Sequence, residues 1–412
     1  MDKKQLPETE RKQLSSGKQI NTRNNPLIRL IGEIDRPFMV LVIILVCFGS
    51  VMVFSASYAF AKNNYNDSYY FAAKQIGWVG FGLAAMFLAS RFVRPGLIKR
   101  IAYIGLAASF ILNVAVVLIG FAGNGAQRWI IIAGINFQPS EVLKFFIVVA
   151  CARYISSNSS RMKTFKYGVL PFALLAIPCV AVLILQSHLS ATIIVLLLIY
   201  AMMFLGGSSL ILLAPIAGVG GAGAFYVANN IDIIVKNEKI KDLLGHAYLR
   251  LLIWENPFAY MRDTATKDAG WQPSQSLYAI SSGGFWGVGL GKSMQKHGYL
   301  PEPQNDYIFA IVCEELGFAG ALMVISLFIA LILRGFHIAR KCNDKFCSLV
   351  VMGLMVKLAL QLLLNIAVVT NTIPSTGISL PFFSYGGTAL LILLAEMGIV
   401  LAISRFSYIE KG

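Results

Sequence analysis

Charge is scarce in this 412-residue chain. Only 13% of its residues are Asp, Glu, Lys or Arg, about half the share of a typical soluble domain. That poverty argues against a soluble fold, and apolar runs of roughly 20 residues, long enough to cross a bilayer as helices, recur along the chain. Cysteine is sparse too. Cys47, Cys151, Cys179 and Cys313 fall in apolar runs, where a thiol acts as a small hydrophobe. Cys342 and Cys347 lie in a basic loop without a His partner, so neither a disulfide framework nor a zinc site is expected. No repeat of fixed period is visible. No secretory signal is visible either: the first 36 residues are polar, hold eight Lys or Arg, and run directly into an apolar span.

What is present is an all-α polytopic membrane protein. Ten spans are expected, at about 37–60, 75–92, 101–121, 140–155, 168–186, 189–206, 209–229, 306–333, 347–371 and 386–404. With the N-terminus inside, the inner segments carry 22 Lys or Arg and the four short outer loops carry three. This asymmetry sets both termini in the cytoplasm. It also explains the formal charge of +15 without nucleic acid, which is not expected as a partner. Residues 1–36 read as a disordered basic tail touching membrane lipids or serving as a topology anchor. Residues 37–405 form the membrane domain, and 406–412 a short inner tail. The outer segment 230–305 is the one loop large enough to build something. Within it, 245–261 reads as an interfacial helix carrying Trp254 and Tyr260. The "GLGKS" at Gly289–Ser293 is not a phosphate loop, because Trp286 stands where that pattern needs Gly. Short β elements are admitted in the loops, but no sheet is required.

Ionisable groups in apolar spans cost about 2.5–3.5 kcal/mol each on insertion scales and mark functional candidates. Glu141 and Lys144, in "FQPSEVLKFF", share one helix face near the outer end of the fourth span, with Ser140 as candidate N-cap. They make either an intrahelical pair or, with Arg128 of "GAQRWI", a positive pocket for phosphate or pyrophosphate. Lys357, Gln361 and Asn365 recur every four residues along the ninth span. Lys357 is expected to pair with Glu396 of the tenth. The uncharged, Pro- and Gly-rich 373–390 reads as a re-entrant stretch whose bare N–H groups, with Ser384 and Tyr385, face a polar ligand. His188, at the turn between the fifth and sixth spans, reads first as a hydrogen-bonded cap. Asp306 starts the eighth span, at the depth of Arg128 and Lys144. Two turns deeper lie Glu314 and Glu315, one of them expected to counter Lys144 or a polar partner on a neighbouring helix. Gln275 joins the supporting polar residues.

These pieces together resemble the SEDS family, the shape, elongation, division and sporulation proteins FtsW, RodA and SpoVE. The resemblance rests on "VMVFSAS" (Val51–Ser57), "GAQRWI", "FQPSEVLKFF", the run from Gly270 to Gly317 containing "QKHGYLPEPQND", and "STGISLPFFSYGG" (Ser375–Gly387). It covers about 35–405, and the "QKHGYLPEPQND" wording is closer to the FtsW/SpoVE branch. The resemblance implies a ten-span peptidoglycan glycosyltransferase that polymerises lipid II at the outer face of the cytoplasmic membrane, with inversion at the anomeric carbon. It implies Asp306 as the essential carboxylate, Arg128 as the family's Arg, and Glu141 and Lys144 as its Glu and Lys. A class B penicillin-binding protein and further division proteins are the implied partners, with enrichment at the division septum. No cofactor is required, and a divalent ion, Mg or Mn, is optional. Three departures stand out. Ser187-His188 replaces a common Pro-Asp, Tyr307 replaces a common Phe, and Glu396 is unusual for the last span. Two rival readings remain, a lipid II flippase and a non-catalytic scaffold for a transpeptidase.

Overall fold

The computed structural model describes residues 34–123, 126–132, 134–230, 246–260 and 267–409. The expected tail over 1–33, the last three residues and two pieces of the outer segment lie outside them.

The chain is almost wholly helical. We number its helices α1 Arg36–Tyr65, α2 Tyr70–Phe92, α3 Pro95–Ile119, α4 Pro139–Ser157, α5 Leu170–Leu185, α6 Leu189–Gly206 and α7 Leu210–Asn229, then α8 His246–Glu255, α9 Pro257–Tyr260, α10 Lys267–Gly283, α11 Ile308–Lys341, α12 Lys345–Val369 and α13 Gly387–Ile409. Among the described residues nine helices are long and apolar enough to span a bilayer. The tenth expected span is α4, which does not count with them. Its 19 residues include Glu141, Lys144 and Arg153. It tolerates those charges because it packs among α3, α6 and α12, so protein rather than lipid surrounds much of it.

Local chemistry sets the helix ends. Asp35 caps α1 by accepting from the Phe38 N–H at 3.0 Å, and Pro37 sits in the first turn where its missing N–H costs nothing. The same carboxylate receives both nitrogens of the Arg334 fork at 2.9 Å, tying α1 to the far part of α11. Asp344 caps α12 in the same way, accepting from Phe346 N at 3.0 Å. Ser140 is not the cap of α4: the helix begins one residue earlier, on Pro139, with Gln138 at the cap position.

Two features were not expected. The first is a three-stranded antiparallel sheet between α3 and α4: β1 Phe121–Gly123, β2 Ala126–Ile132 and β3 Ile135–Phe137. Its middle strand carries Arg128, which is thereby held on hydrogen-bonded backbone rather than on a loose loop. The second is a break in α11. Gly317 has φ 68° and ψ −168°, a conformation open mainly to glycine. Four of the groups freed by the break are recaptured. Val288 N donates to Glu314 O and Gly289 N to Glu315 O, both at 3.0 Å; Phe318 N donates to Gly284 O at 3.0 Å and Ala319 N to Phe285 O at 3.1 Å. The Gly-rich run after α10 thus completes the hydrogen bonding of a transmembrane helix, which non-helical backbone there requires.

The expected interfacial helix is present as α8 and α9, broken at Pro257. Trp254 does not simply rest at a lipid surface. Its indole N–H donates to Asn371 O at 3.0 Å, and Asn371 Nδ2 returns a bond to Trp254 O at 3.2 Å. Helix α8 is therefore docked on the segment that follows α12.

Candidate active site

Residue 377 is the place where the site converges. Gly377 has φ +74°, and a Cβ built there would lie 3.1 Å from Asp306 Oδ2 and 3.6 Å from Arg128 Nη1. A carboxylate and a guanidinium, 178 residues apart in sequence, thus face one small space over bare backbone. Both side chains are half-buried, so the space is sheltered without being sealed.

Each partner is fixed from behind. Asp306 lies two residues before α11, and its own carbonyl accepts from Asn365 Nδ2 at 2.8 Å. The same amide donates to Ile378 O at 2.6 Å, so Asn365 of α12 clamps the Asp306 backbone and the 375–386 segment together. Arg128 Nη2 donates to Ser187 O at 3.0 Å, at the turn before α6 where Ser187 adopts φ +54°. Its buried Nε has no partner among the described residues. From the other side, Ser190 of α6 donates to Thr376 O.

A second arginine reaches this space. Arg250 of α8 donates from Nη1 to Ser375 O at 3.2 Å and acts electrostatically on both Asp306 and Arg128. Burial raises the Asp306 carboxyl above its ordinary range; Arg128 and Arg250 pull it back down, and Glu302 pushes it up. The two guanidiniums are themselves shifted below their usual value, by burial first. Nothing in the local sequence of α8 singles out Arg250. Folding brings it to Ser375 across 125 residues.

Several expected members take other places. Lys144 does not join Arg128. Its ammonium is buried and bonded to Glu141 at 2.5 Å, the intrahelical pairing considered as the alternative. Glu141 also lies 3.7 Å from Lys357, which bonds Glu396 at 2.5 Å. Lys144, Glu141, Lys357 and Glu396 therefore alternate in sign across α4, α12 and α13. Such a chain is the arrangement in which buried charges can be tolerated. Ser384 is not available to a ligand: it donates to Asn305 O at 2.9 Å and accepts from Leu380 N at 2.7 Å. The Tyr385 N–H is spent on Gln304 O at 2.8 Å, and its ring packs edge-on against Phe71. These bonds hold 380–385 against 304–305. Gln361 is buried on α12 between Lys357 and Asn365, and Gln275 is buried on α10.

Glu314 and Glu315 do not meet Lys144 either. Glu315 is fully buried, forms an ion pair with Lys296 at 2.7 Å, and accepts from the Ser55 hydroxyl of α1. Glu314 accepts from the Ser293 hydroxyl and from Met294 N at 2.8 Å. Ser55 is the polar partner on a neighbouring helix that was expected for one of them; the charged partner, Lys296, lies in the loop before them.

His188 sits at the N-cap position of α6 without capping it. Its Nε2 lies 3.0 Å from Gln138 Nε2 and 3.4 Å from Ser140 Oγ. Burial, with Arg128 and Lys144 nearby, pushes its pKa down to about 3, so the ring is neutral at ordinary pH. Among the described residues no group of three or more His, Cys, Asp or Glu converges as a metal site would need. Asp306 with neighbouring Glu302 falls short of such a set, and no step below runs through a divalent ion.

Residues 35–409 match the family described as cell cycle protein, comprising FtsW, RodA and SpoVE. The chain is 32% identical over 375 residues to stage V sporulation protein E of Bacillus subtilis (strain 168), an alignment covering 90% of this chain and 97% of that protein. It is 34% identical over 382 residues to the probable peptidoglycan glycosyltransferase FtsW of the same organism, covering 92% and 93%. Among solved structures, it is similar to a chain in work on the coordination of polymerization and crosslinking by a peptidoglycan synthase complex, with TM-score 0.72, 25% identity and 91% and 98% coverage. It is likewise similar to the rod shape determining protein RodA of Thermus thermophilus, with TM-score 0.64, 25% identity and the same coverage.

Proposed function

Since the chain belongs to the FtsW, RodA and SpoVE family of cell cycle proteins, we infer that it is a peptidoglycan glycosyltransferase that polymerises lipid II at the outer face of the cytoplasmic membrane. The observation that carries this reading is the convergence of Asp306 Oδ2 and Arg128 Nη1 on the space over Gly377. Asp306 takes the proton from the 4-hydroxyl of the acceptor sugar. That oxygen bonds to the anomeric carbon of the donor chain, and the bond from that carbon to the pyrophosphate oxygen breaks. A single displacement inverts the carbon and needs one base on the attacking side. Burial keeps the carboxyl above its ordinary range, which brings a base closer to working pH.

The leaving pyrophosphate gains negative charge as the bond breaks. Arg128 and Arg250 supply fixed positive charge beside the base, where a sheltered site makes it count for more than in water. Arg128 also has the geometry for phosphate: its Nη2 is anchored on Ser187 O, and its fork otherwise faces the shared space.

A class B penicillin-binding protein is the proposed partner, in keeping with the synthase complex to which the fold is similar. Both termini are proposed to lie inside, with the protein enriched at the division septum. The test is polymerisation by the purified chain supplied with lipid II, with and without that transpeptidase. Glycan strands should form and should vanish in Asp306→Ala and Asp306→Asn. Strands that persist in both variants would overturn the base. Transbilayer movement of lipid II without strands would favour a flippase.

A further inference from the structure

At the end of the molecule opposite Asp306 there is a cavity of about 750 Å³. It lies where the turn between α2 and α3, the turn between α11 and α12, and the end of α13 meet. Helix α11 starts beside Asp306 and runs 34 residues before reaching this turn, about 50 Å at 1.5 Å per residue. The cavity is far from the chemistry and takes no part in it.

Its lining has two characters. Arg94 and Arg100 supply positive charge, and among the described residues neither guanidinium has a carboxylate within ion-pair distance. Other basic groups nearby are engaged. Arg153 donates to Lys99 O and Arg100 O and stacks on Tyr103; Arg405 donates to Ser90 O and Arg91 O. The one acid in the lining, Asp344, is committed to capping α12. Asn343 aside, the remaining wall is largely apolar and includes Phe92, Leu97 and Phe406. Phe92 is 65% and Leu97 49% exposed, so the rest of the protein leaves this wall uncovered at the end of a spanning helix, where acyl chains can reach it.

We propose that this cavity binds a diacyl phospholipid with an anionic head group, the phosphodiester between Arg94 and Arg100 and the chains along Phe92, Leu97 and Phe406. The volume falls in the range of small-molecule sites. A soluble anion would use the two arginines but has no need of an apolar wall open to the bilayer. A zwitterionic lipid would use the wall but gains less from two unpaired cations. The proposal rests on the reading that the chain spans the membrane with this end in the inner leaflet, where anionic lipids meet basic residues. It does not depend on the glycosyltransferase chemistry.

The test is thermal unfolding of the purified full chain in neutral detergent, titrated separately with short-chain phosphatidylglycerol, short-chain phosphatidylcholine and inorganic phosphate. Phosphatidylglycerol should raise the midpoint by a few degrees at saturation, as expected for a ligand that binds only the folded state. The shift should largely vanish in Arg94→Gln/Arg100→Gln and persist in Lys163→Gln/Lys166→Gln, which removes two other positive charges from the same face. A second variant guards against misfolding of the first. A Cβ at Gly96, in the cavity wall, meets nothing within 4 Å, so Gly96→Trp fills the space with both arginines intact and should also abolish the shift. An equal shift from phosphatidylcholine, a full shift from phosphate alone, or an undiminished shift in both cavity variants would overturn the proposal.

Discussion

Asn365 holds Asp306 by its backbone rather than by its carboxylate: the Asn365 side-chain amide donates to the Asp306 carbonyl at 2.8 Å and also to Ile378 O at 2.6 Å. One side chain thereby sets the distance between Asp306, the proposed base, and the 375–386 segment proposed to lie under substrate. In Asn365→Leu both carbonyls lose their donor, at about 1–3 kcal/mol for each buried group left unpaired. Because misplacement by about 1 Å can cost on the order of 100-fold in rate, polymerisation should fall ~10–100-fold while Asp306 stays chemically intact. Initial rates of strand formation by purified protein, matched for folded fraction, measure this. A rate within twofold of wild type would show that the clamp does not position the base.

Gly377 allows a sharper test of the shared space. Gly377→Ala adds one methyl 3.1 Å from Asp306 Oδ2 and 3.6 Å from Arg128 Nη1, at a φ of +74° that alanine adopts with strain. Activity should fall at least tenfold, with little change in expression or in the melting of the bundle. If Gly377→Ala polymerises normally, substrate does not occupy this space.

The acid limb of the pH profile should report on Arg250. As the proposed base, Asp306 has to be deprotonated, so activity should fall as pH drops through its raised pKa. Arg250 lowers that pKa. Removing it in Arg250→Ala should move the acid limb to higher pH and reduce the plateau rate, whereas Arg250→Lys should keep the limb near its original place. An acid limb unmoved in Arg250→Ala would separate this arginine from the carboxylate.

The buried pair Lys296–Glu315 concerns stability. Cutting one partner strands the other charge in the interior, at about 3–5 kcal/mol. Lys296→Met and Glu315→Met should each melt well below wild type. The double change Lys296→Met/Glu315→Met should recover part of that loss, because no charge is left alone. Melting in detergent with a double-mutant comparison decides it, and additive losses would show that the two do not act as a pair.

How much of this was legible in the sequence depended on the range of the interactions. The spans could be read because twenty apolar residues in a row are a local signal, and Asp306 and Arg128 because charge beside oil is rare. Lys357 with Glu396 followed from lone opposite charges at similar depth. Lys144 was misplaced because helical spacing tells that it shares a face with Glu141, not which neighbour that face meets. Arg250 was missed because an arginine on a half-polar helix is ordinary until tertiary contacts aim it. The sheet escaped because two of its strands are three residues long, too short for any alternation to show. Lys296 lay in plain view in "QKHGYLPEPQND", yet only the fold sets it against Glu315.

The break at Gly317 leaves the first nine residues of α11 fastened to the Gly-rich run by two backbone bonds, from Val288 N and Gly289 N, while two more, from Phe318 N and Ala319 N, fasten the start of the remainder to the same run. With Lys296–Glu315 added, the loop grips the short cylinder on one side of the break and the start of the long shaft on the other. Asp306 rides at its tip. The Gly-rich run is therefore a splint across the break at residue 317, and the aim of the carboxylate at the tip is set by that splint as much as by the helix that carries it.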